Sequence, residues 1–359
     1  MKKYFIMAVV LLSQIVASSQ NVNNIQMPEL LNDNSRKNIN IPNIMGYITL
    51  KCDFHIHTVF SDGVVWPTVR VDEAWQEGLD AIAITDHIEN NPSKKFIGGD
   101  DNSSYEIAKP KADEKDIILI HGGEITRSMT PGHFNALFLD DVNALDVLNY
   151  MDAFKAAADQ GAFIIWNHPG WKAQQPDSCI WWPLHTELLE KGWLHAVEVF
   201  NEKEWYPITV DWCNEKNIAP IATSDIHGIT AAMYNLEKYH RPLTIVFADD
   251  RSEKAIKEAL FAKRTVAWFG DKLAGDEKFL REIFKSAIEV KLISESEKGQ
   301  RMTLKNNSDV PFHLHSEEQS FTISSNGETM VTIKPSMNLF AVKNLFVAAT
   351  DNLVVTIIP

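Results

Sequence analysis

The chain has 359 residues, 45% of them hydrophobic and 23% charged, which allows one large folded domain plus a small appendage and excludes wholesale disorder. Its formal net charge of −14 disfavours sliding along nucleic acid, so no stable nucleic-acid complex is expected. An anionic substrate stays open, because bound cations dominate the field inside a site.

Residues 1–19 read as a signal peptide. Lys2 and Lys3 give a positive start, the run from Tyr4 to Val16 is mostly apolar, and Ala17-Ser18-Ser19 is a small-residue cleavage signal. Its removal takes the net charge to −16. No later stretch is long and apolar enough to cross a bilayer, so a secreted or periplasmic protein without a transmembrane segment is expected after signal removal. The three cysteines, Cys52, Cys179 and Cys213, are too few for a disulfide framework and read as small buried residues. Residues 20–45, rich in Asn and Pro, read as a lead-in segment.

From 46 to 275 short apolar runs alternate with helical stretches. Strands are expected at 47–56, 80–85, 117–121, 133–139, 162–167, 195–200 and 218–224. Helices are expected at 67–78, 143–160, 184–191 and 205–216, followed by a helix at 252–262 and a strand at 264–268. This alternation argues for a parallel α/β arrangement closed into a barrel. A helix over 276–286 then leads into short alternating segments up to 358, separated by turns such as Asn306-Asn307 and Ser325-Asn326-Gly327. Residues 276–359 therefore read as a small all-β, sandwich-like domain.

Five of the barrel strands end in potential metal ligands. The first ends Asp53-Phe54-His55-Ile56-His57. Alternate residues of a strand face one way, so His55 and His57 project together as a chelating pair. Asp53 shares their side and is placed to orient a ligand. Cys52, Phe54 and Ile56 turn the other way, towards covering helices. A turn with Asp62-Gly63 follows. Later strands end in Asp86-His87, Glu124, His168 and Asp225-Ile226-His227, and His133 opens the fourth. In α/β barrels the carboxyl ends of the strands form the rim on which active sites are built. Imidazole and carboxylate mixtures suit zinc, manganese or iron rather than a structural cysteine-zinc site.

The string His55-Ile56-His57-Thr58, Ser61-Asp62-Gly63, Thr85-Asp86-His87, Glu124, Gly132-His133, Asn167-His168-Pro169 and Ser224-Asp225-Ile226-His227 resembles the polymerase-and-histidinol-phosphatase (PHP) family of metal-dependent phosphoesterases over roughly residues 47–270. The resemblance implies a distorted (β/α)7 barrel and two or three divalent metal ions. It implies that His55, His57, Glu124 and Asp225 hold one ion, that Glu124, His133 and His168 hold a second, and that Asp62, His87 and His227 hold a third. The 276–359 segment resembles the accessory domain of secreted members.

The expected activity is hydrolysis of phosphate mono- or diesters of small molecules, nucleotides among the candidates, by attack of a metal-activated hydroxide on phosphorus. Asp225 is a candidate for holding the water, and His87 or His227 for protonating the leaving group. Arg127 is a candidate phosphate clamp, and Trp171 either stacks on substrate or belongs to a packed loop at the mouth. His121 and His195 read as structural, and His313 and His315 lie outside the motif set. Two readings compete with the phosphoesterase. One is an amidohydrolase-like hydrolase with the same ions, and the other is a non-catalytic secreted binding protein. Oligomeric state is not legible.

Overall fold

The computed structural model describes residue 27, residues 35–334, residue 336 and residues 338–358. The chain divides into two compact units, 1–35 and 36–359. The expected signal peptide and the first part of the expected lead-in segment lie outside the described residues. Among the described residues no helix is long and apolar enough to cross a membrane.

The second unit is built on strands β1 (Ile48–Asp53), β2 (Ala81–Ile84), β3 (Ile118–Thr126), β4 (His133–Leu137), β5 (Phe163–Trp166), β6 (Ala196–Asn201), β7 (Glu204–Trp205), β8 (Ala219–Thr223) and β9 (Leu243–Ala248). The pairing runs β9-β1-β2-β3-β4-β5-β6-β8. Links β1–β2, β2–β3, β5–β6 and β6–β8 are parallel, whereas β4 and β9 run against their neighbours. The two ends meet through Thr244 of β9, whose Oγ1 accepts from Ala222 N at 3.0 Å and donates to Ala222 O at 2.8 Å. A side chain thus completes the circuit where backbone pairing stops, which is the distortion of the barrel.

Alternation along the strands sorts the core. Leu50, Cys52 and Phe54 share one buried cluster with Ala81, Ala83, Ile165, Ala219, Ile221 and Val246. In β1, β2, β5 and β8 alternate residues contribute, as expected for a barrel interior, and the small alanines suit its narrow bore. Ile82 and Ile84 turn outward to Val71 and Ala74 of α1 (Pro67–Glu77) and to Ala108 and Ala112 of α2 (Ser103–Lys115). On the other side Ile164, Val197 and Val199 meet α3 (Tyr150–Asp159), α4 (Pro183–Glu190) and α5 (Ile208–Lys216) through Phe154, Leu188 and Val210. Helix α1 begins at Pro67, where the missing N–H costs nothing. It ends at Gly78 (φ 88°), where a Cβ would lie 2.6 Å from Lys37 O.

After β8 come the one-turn α6 (Thr230–Met233), then β9, α7 (Glu253–Phe261), β10 (Thr265–Phe269), β11 (Lys272–Gly275) and α8 (Glu277–Ala287). Helix α8 buries Phe279, Leu280, Ile283, Phe284 and Ala287, a stripe at helical spacing. The rest is β: β12 (Ile288–Ser296), β13 (Gly299–Asn306), β14 (Phe312–His315), β15 (Ser320–Ile323), β16 (Glu328–Ile333), β17 (Leu339–Phe346) and β18 (Asn352–Thr356). Strands β12-β13-β16 form a small antiparallel sheet. Strand β17 pairs in parallel with β11, which joins β14, β15, β17 and β18 to the barrel sheet. Leu304, Phe312, Phe340, Val342 and Leu353 pack with α8 between these layers.

Most expected elements are present to within a few residues, but the helix expected at 143–160 is a 3-10 turn at Val142–Leu145 followed by α3 from Tyr150, and α2, α6, β7, β9 and β11 are additions. The three cysteines are free. His121 stacks on Tyr105 with 4.2 Å between ring centroids. His195 is half-buried, stacked on Phe163 at 5.3 Å, and its Nδ1 accepts from Ile164 N at 3.0 Å. Burial lowers its imidazole pKa to about 4, and a protonated ring could not accept that hydrogen bond. The folded-state pKa lies below the unfolded value of about 6.5. The neutral ring's contribution is therefore complete above about pH 6.5 and lost as pH falls towards 4. Replacing His195 with Asn keeps an acceptor and removes the titration. In urea melts, His195→Asn is expected to flatten the acid-side loss of stability between pH 6.5 and 4 by up to about 2 kcal/mol, allowing for partial exposure.

Candidate metal centre

The strand ends place nine side chains around one cavity. Glu124, in the middle of the long strand β3, is fully buried. Its Oε1 lies 3.6 Å from His55 Nε2, 3.1 Å from His133 Nδ1 and 3.8 Å from His168 Nε2. Its Oε2 lies 3.7 Å from His57 Nε2 and touches His87 Nδ1. Opposite it, Asp225 Oδ1 lies 3.1 Å from His55 Nε2 and 3.0 Å from His57 Nε2. At the outer edge Asp62 Oδ1 lies 3.0 Å from His227 Nε2 and 3.5 Å from His87 Nε2. A Cβ on Gly63 would sit 2.8 Å from backbone atoms of His57 and Thr58. The turn that brings Asp62 back over the strand end therefore has no room for a side chain there.

Several of these atoms are buried without a hydrogen-bond partner: His55 Nε2, His57 Nε2, Asp62 Oδ1, Glu124 Oε2, His133 Nδ1 and Asp225 Oδ1. Orphaned acceptors at such separations are what a cation requires, since neighbouring ligand atoms on an ion with bonds of about 2.1 Å stand roughly 3.0–3.4 Å apart. Three sets of ligand atoms are tight enough to share an ion: His55, His57 and Asp225; His87, Glu124 and His133; and His57, Asp62, His87 and His227. The grouping differs from the implied one in three respects. His57 and His87 each belong to two sets, Glu124 belongs to one rather than bridging two, and His168, 4.0 Å from Asp225 Oδ2, stands just outside all three.

The electrostatics fit the same use. Burial would raise the pKa of Glu124, but His87, His133 and His55 outweigh it and hold the carboxylate well below its usual range. The same balance holds Asp225 low, through His55, His57 and His168. Burial lowers the His57 imidazole to about 4, with His87 and His227 adding to the effect and Asp225 opposing it. Its lone pair is therefore free at neutral pH.

A second layer fixes the rings. His55 Nδ1 donates to Glu198 Oε1 at 2.8 Å, and His168 N donates to Glu198 Oε2 at 2.5 Å. His57 Nδ1 faces Ser61 Oγ at 3.3 Å, which donates to Asp86 Oδ1 at 2.7 Å. His227 Nδ1 donates to Asp225 O at 2.8 Å, leaving Nε2 towards Asp62. His87 Nδ1 meets Thr126 Oγ1 at 2.6 Å. Arg70 of α1, wholly buried, donates to the carbonyls of His57, Ile226, His227 and Gly228 at 2.7–3.1 Å. One guanidinium thus ties the end of β1 to the loop after β8. His168 (φ 26°) and Asp225 (φ 49°) hold left-handed backbone that residues with a side chain avoid. Glu198 restrains the first, and Asp53, which accepts from Ser224 N at 3.0 Å, restrains the second.

Two expectations are corrected. Arg127 is no phosphate clamp: its two Nη atoms donate to Val147 O and Leu148 O and pair with Glu89 at 2.7 Å, and the residue does not line the cavity. Asp53 orients candidate ligands through their backbone: it accepts from His55 N at 3.4 Å and from Ser224 N, beside Asp225, at 3.0 Å, and Arg241 holds it in turn. The second correction is that strict alternation stops at the end of β1. Cys52 and Phe54 stay with the barrel interior, while Ile56 packs with Val71 and Ala74 of α1.

Glu198, Thr126, Arg70 and Lys203 were not singled out from the sequence, and Asp86, named there only within the Thr85-Asp86-His87 motif, holds Ser61 and Thr58. Glu198 left a signal, a lone charge in the apolar run Ala196–Asn201, every residue of which is buried. In Glu198→Gln one accepting oxygen becomes a donor facing His168 N and Asn201 Nδ2. The expected result is a 10- to 100-fold loss of metal affinity in chelator competition, with the fold unchanged by circular dichroism. Unaltered affinity would remove the orienting role.

The chain is 43% identical, with a TM-score of 0.87, to a two-domain protein of Bacteroides vulgatus described as containing a predicted PHP-like metal-dependent phosphoesterase, over 90% of this chain and 98% of that one. A Bifidobacterium adolescentis protein provisionally assigned as a metal-dependent phosphoesterase is 16% identical at a TM-score of 0.40, over 49% and 87% of the two chains, too distant to bear on the fold or on function. An uncharacterized protein of Methanocaldococcus jannaschii is 40% identical over 77 residues, 21% of this chain, and the chain spans only 34% of its length. No protein-family model matches. With 43% identity and a common fold over nearly the whole of both chains, this chain belongs to the family of two-domain proteins containing a predicted PHP-like metal-dependent phosphoesterase.

Proposed function

We propose that this protein hydrolyses phosphate mono- or diesters of small molecules, using two or three divalent ions of zinc, manganese or iron. The observation that carries the reading is the set of buried, unpartnered acceptors converging from His55, His57, Asp62, Glu124, His133 and Asp225. The cavity wall points the same way. Asp62, Glu202, Glu204 and Asp225 line it, and Lys203 is its one lysine or arginine among the described residues. A phosphate would be repelled by these side chains alone, so cations must invert the sign of the site. Bound divalent ions would supply Lewis acidity towards the phosphoryl oxygens and acidify a water.

The protein's own groups divide the remaining work. Asp225 Oδ2, 3.4 Å from Asn201 Nδ2, is placed to orient the attacking water. Lys203 at the mouth offers its ammonium to a non-bridging oxygen. With two ions bound and the outer set of Asp62, His87 and His227 free of metal, His227, whose side chain is 37% exposed and anchored through Nδ1, is suited to deliver a proton from Nε2 to the leaving oxygen. Asp62 and Asp225 raise its imidazole pKa although burial opposes them. The leader, Lys2 to Ser19, supports a site of action outside the cytoplasm, secreted or periplasmic, on a small phosphorylated substrate.

In Glu124→Gln, bound metal measured by elemental analysis and phosphate release are expected to fall together. Retention of both would refute the central role of Glu124. In His227→Asn, turnover of an alkyl phosphate is expected to fall by about 10²- to 10⁴-fold, and that of p-nitrophenyl phosphate far less, because a good leaving group needs no proton. Equal losses would take the proton-donor role from His227. Turnover of amides, and of no phosphate ester, would overturn the phosphoryl assignment itself.

A further inference from the structure

The metal cavity, about 490 Å³, opens into a second cleft of about 780 Å³, and the two share Lys203 and Met233 in their walls. The second cleft is aromatic. Trp205, Tyr234, Tyr239 and Phe269 line it, and Pro311 and His313 of the C-terminal β segment close its far side. We propose that this cleft receives the alcohol part of the substrate and is shaped for a flat aromatic ring, with the C-terminal segment serving as one wall of the substrate site. The proposal rests on the phosphoesterase reading only for the anchoring of the phosphate.

Three observations support it. First, the cleft begins where a leaving group would depart, since Lys203 and Met233 belong to both cavities. Second, its aromatic wall is held in place. Trp205 packs edge-on against Phe346 at 4.5 Å, and Tyr234 OH lies 3.1 Å from Glu202 O and 3.3 Å from Ser224 O, beside the ligand Asp225. Pre-fixed rings bind a planar group without an ordering cost. Third, the charges at the rim are mutually satisfied. Asp271 pairs with His313 Nε2 at 3.1 Å and with Lys272 at 2.8 Å, so the rim can hydrogen-bond ring substituents without presenting an unpaired ion. Yet Tyr239 and Met233 remain 58% and 42% exposed, an apolar surface that a soluble protein keeps for a ligand. Trp171, the alternative stacking platform, stands alone at the mouth, against His133 and His168.

The test compares methylphosphonate with 2-naphthylmethylphosphonate, which cannot be hydrolysed, binding to the metal-loaded full chain by isothermal titration calorimetry. The naphthyl ligand is expected to bind at least tenfold more tightly. That ratio is expected to fall below threefold in Tyr239→Ala, whose side chain is too exposed to threaten folding, and in Phe269→Leu. It is expected to persist in Trp171→Ala. Equal affinities, no binding of the naphthyl ligand, a ratio surviving both cleft variants, or a ratio lost only in Trp171→Ala would each overturn the proposal. Because binding is read without turnover, a protein that shows the ratio but hydrolyses no phosphate ester would refute the proposed function and leave the cleft standing.

Discussion

One buried carboxylate organises the rest of the structure. Glu124 has no solvent exposure and five imidazole nitrogens within 3.8 Å of its oxygens. Burying an ion costs several kcal/mol unless opposite charge is supplied at close range. Five neutral rings with inward lone pairs would worsen that cost, and five protonated ones would repel each other. Divalent cations between carboxylate and rings resolve the conflict. Such a centre is therefore expected to be held open by the surrounding scaffold rather than by its own contacts.

That scaffold reaches outward to the helices. Arg70 gathers four carbonyls from the two loops carrying His57 and His227. Arg241, equally buried, pairs with Glu77 of α1 and with Asp53, which in turn holds the backbone just before Asp225. Losing one partner of such a network leaves an unpaired buried charge, a cost of about 3–5 kcal/mol. Two arginines far from any reacting atom thus govern where ligand atoms sit. The scaffold is charged because polar backbone at the mouth of a barrel must be satisfied in regions where the strand ladder has ended.

The candidate ligand cluster was legible because metal chemistry leaves rare residue types at strand ends, where a helix-strand alternation already predicts a rim. The barrel was legible because apolar runs such as Ala81–Ile84 and Phe163–Trp166 are buried along their whole length. What escaped has physical reasons. Helix α2 packs through Ser104, Ala108 and Ala112 and carries Pro110 in its interior, so it shows neither an apolar stripe nor a clean helical sequence. Glu198 and Arg70 act on ligands from other elements, and no local pattern encodes a partner 143 or 156 residues away. Arg127 failed for the converse reason: position near the rim says nothing about which carbonyls will consume a guanidinium. Strand β9, Leu243–Ala248, is wholly buried and apolar but for Thr244. Its pattern was visible, but its antiparallel place beside β1 depends on how the barrel closes.

The change of pattern near residue 276 marks a change of periodicity, not a break in the core. Phe247 of β9, Trp268 of β10 and Leu273 of β11 lie in the same buried cluster as Phe279 and Phe284 of α8 and Phe312 and Phe340 of the β segment. Asn344 Nδ2 adds donor contacts to Asp271 O and Pro311 O. Strand β17 covers the edge of β11, which would otherwise present unpaired backbone groups to solvent. A chain ending at 275 would expose both that edge and an apolar face. The β segment therefore acts as the completing layer of the barrel's outer wall, and beside the metal centre it meets Trp205 through Phe346 while leaving Tyr239 exposed, so that a cleft remains between them.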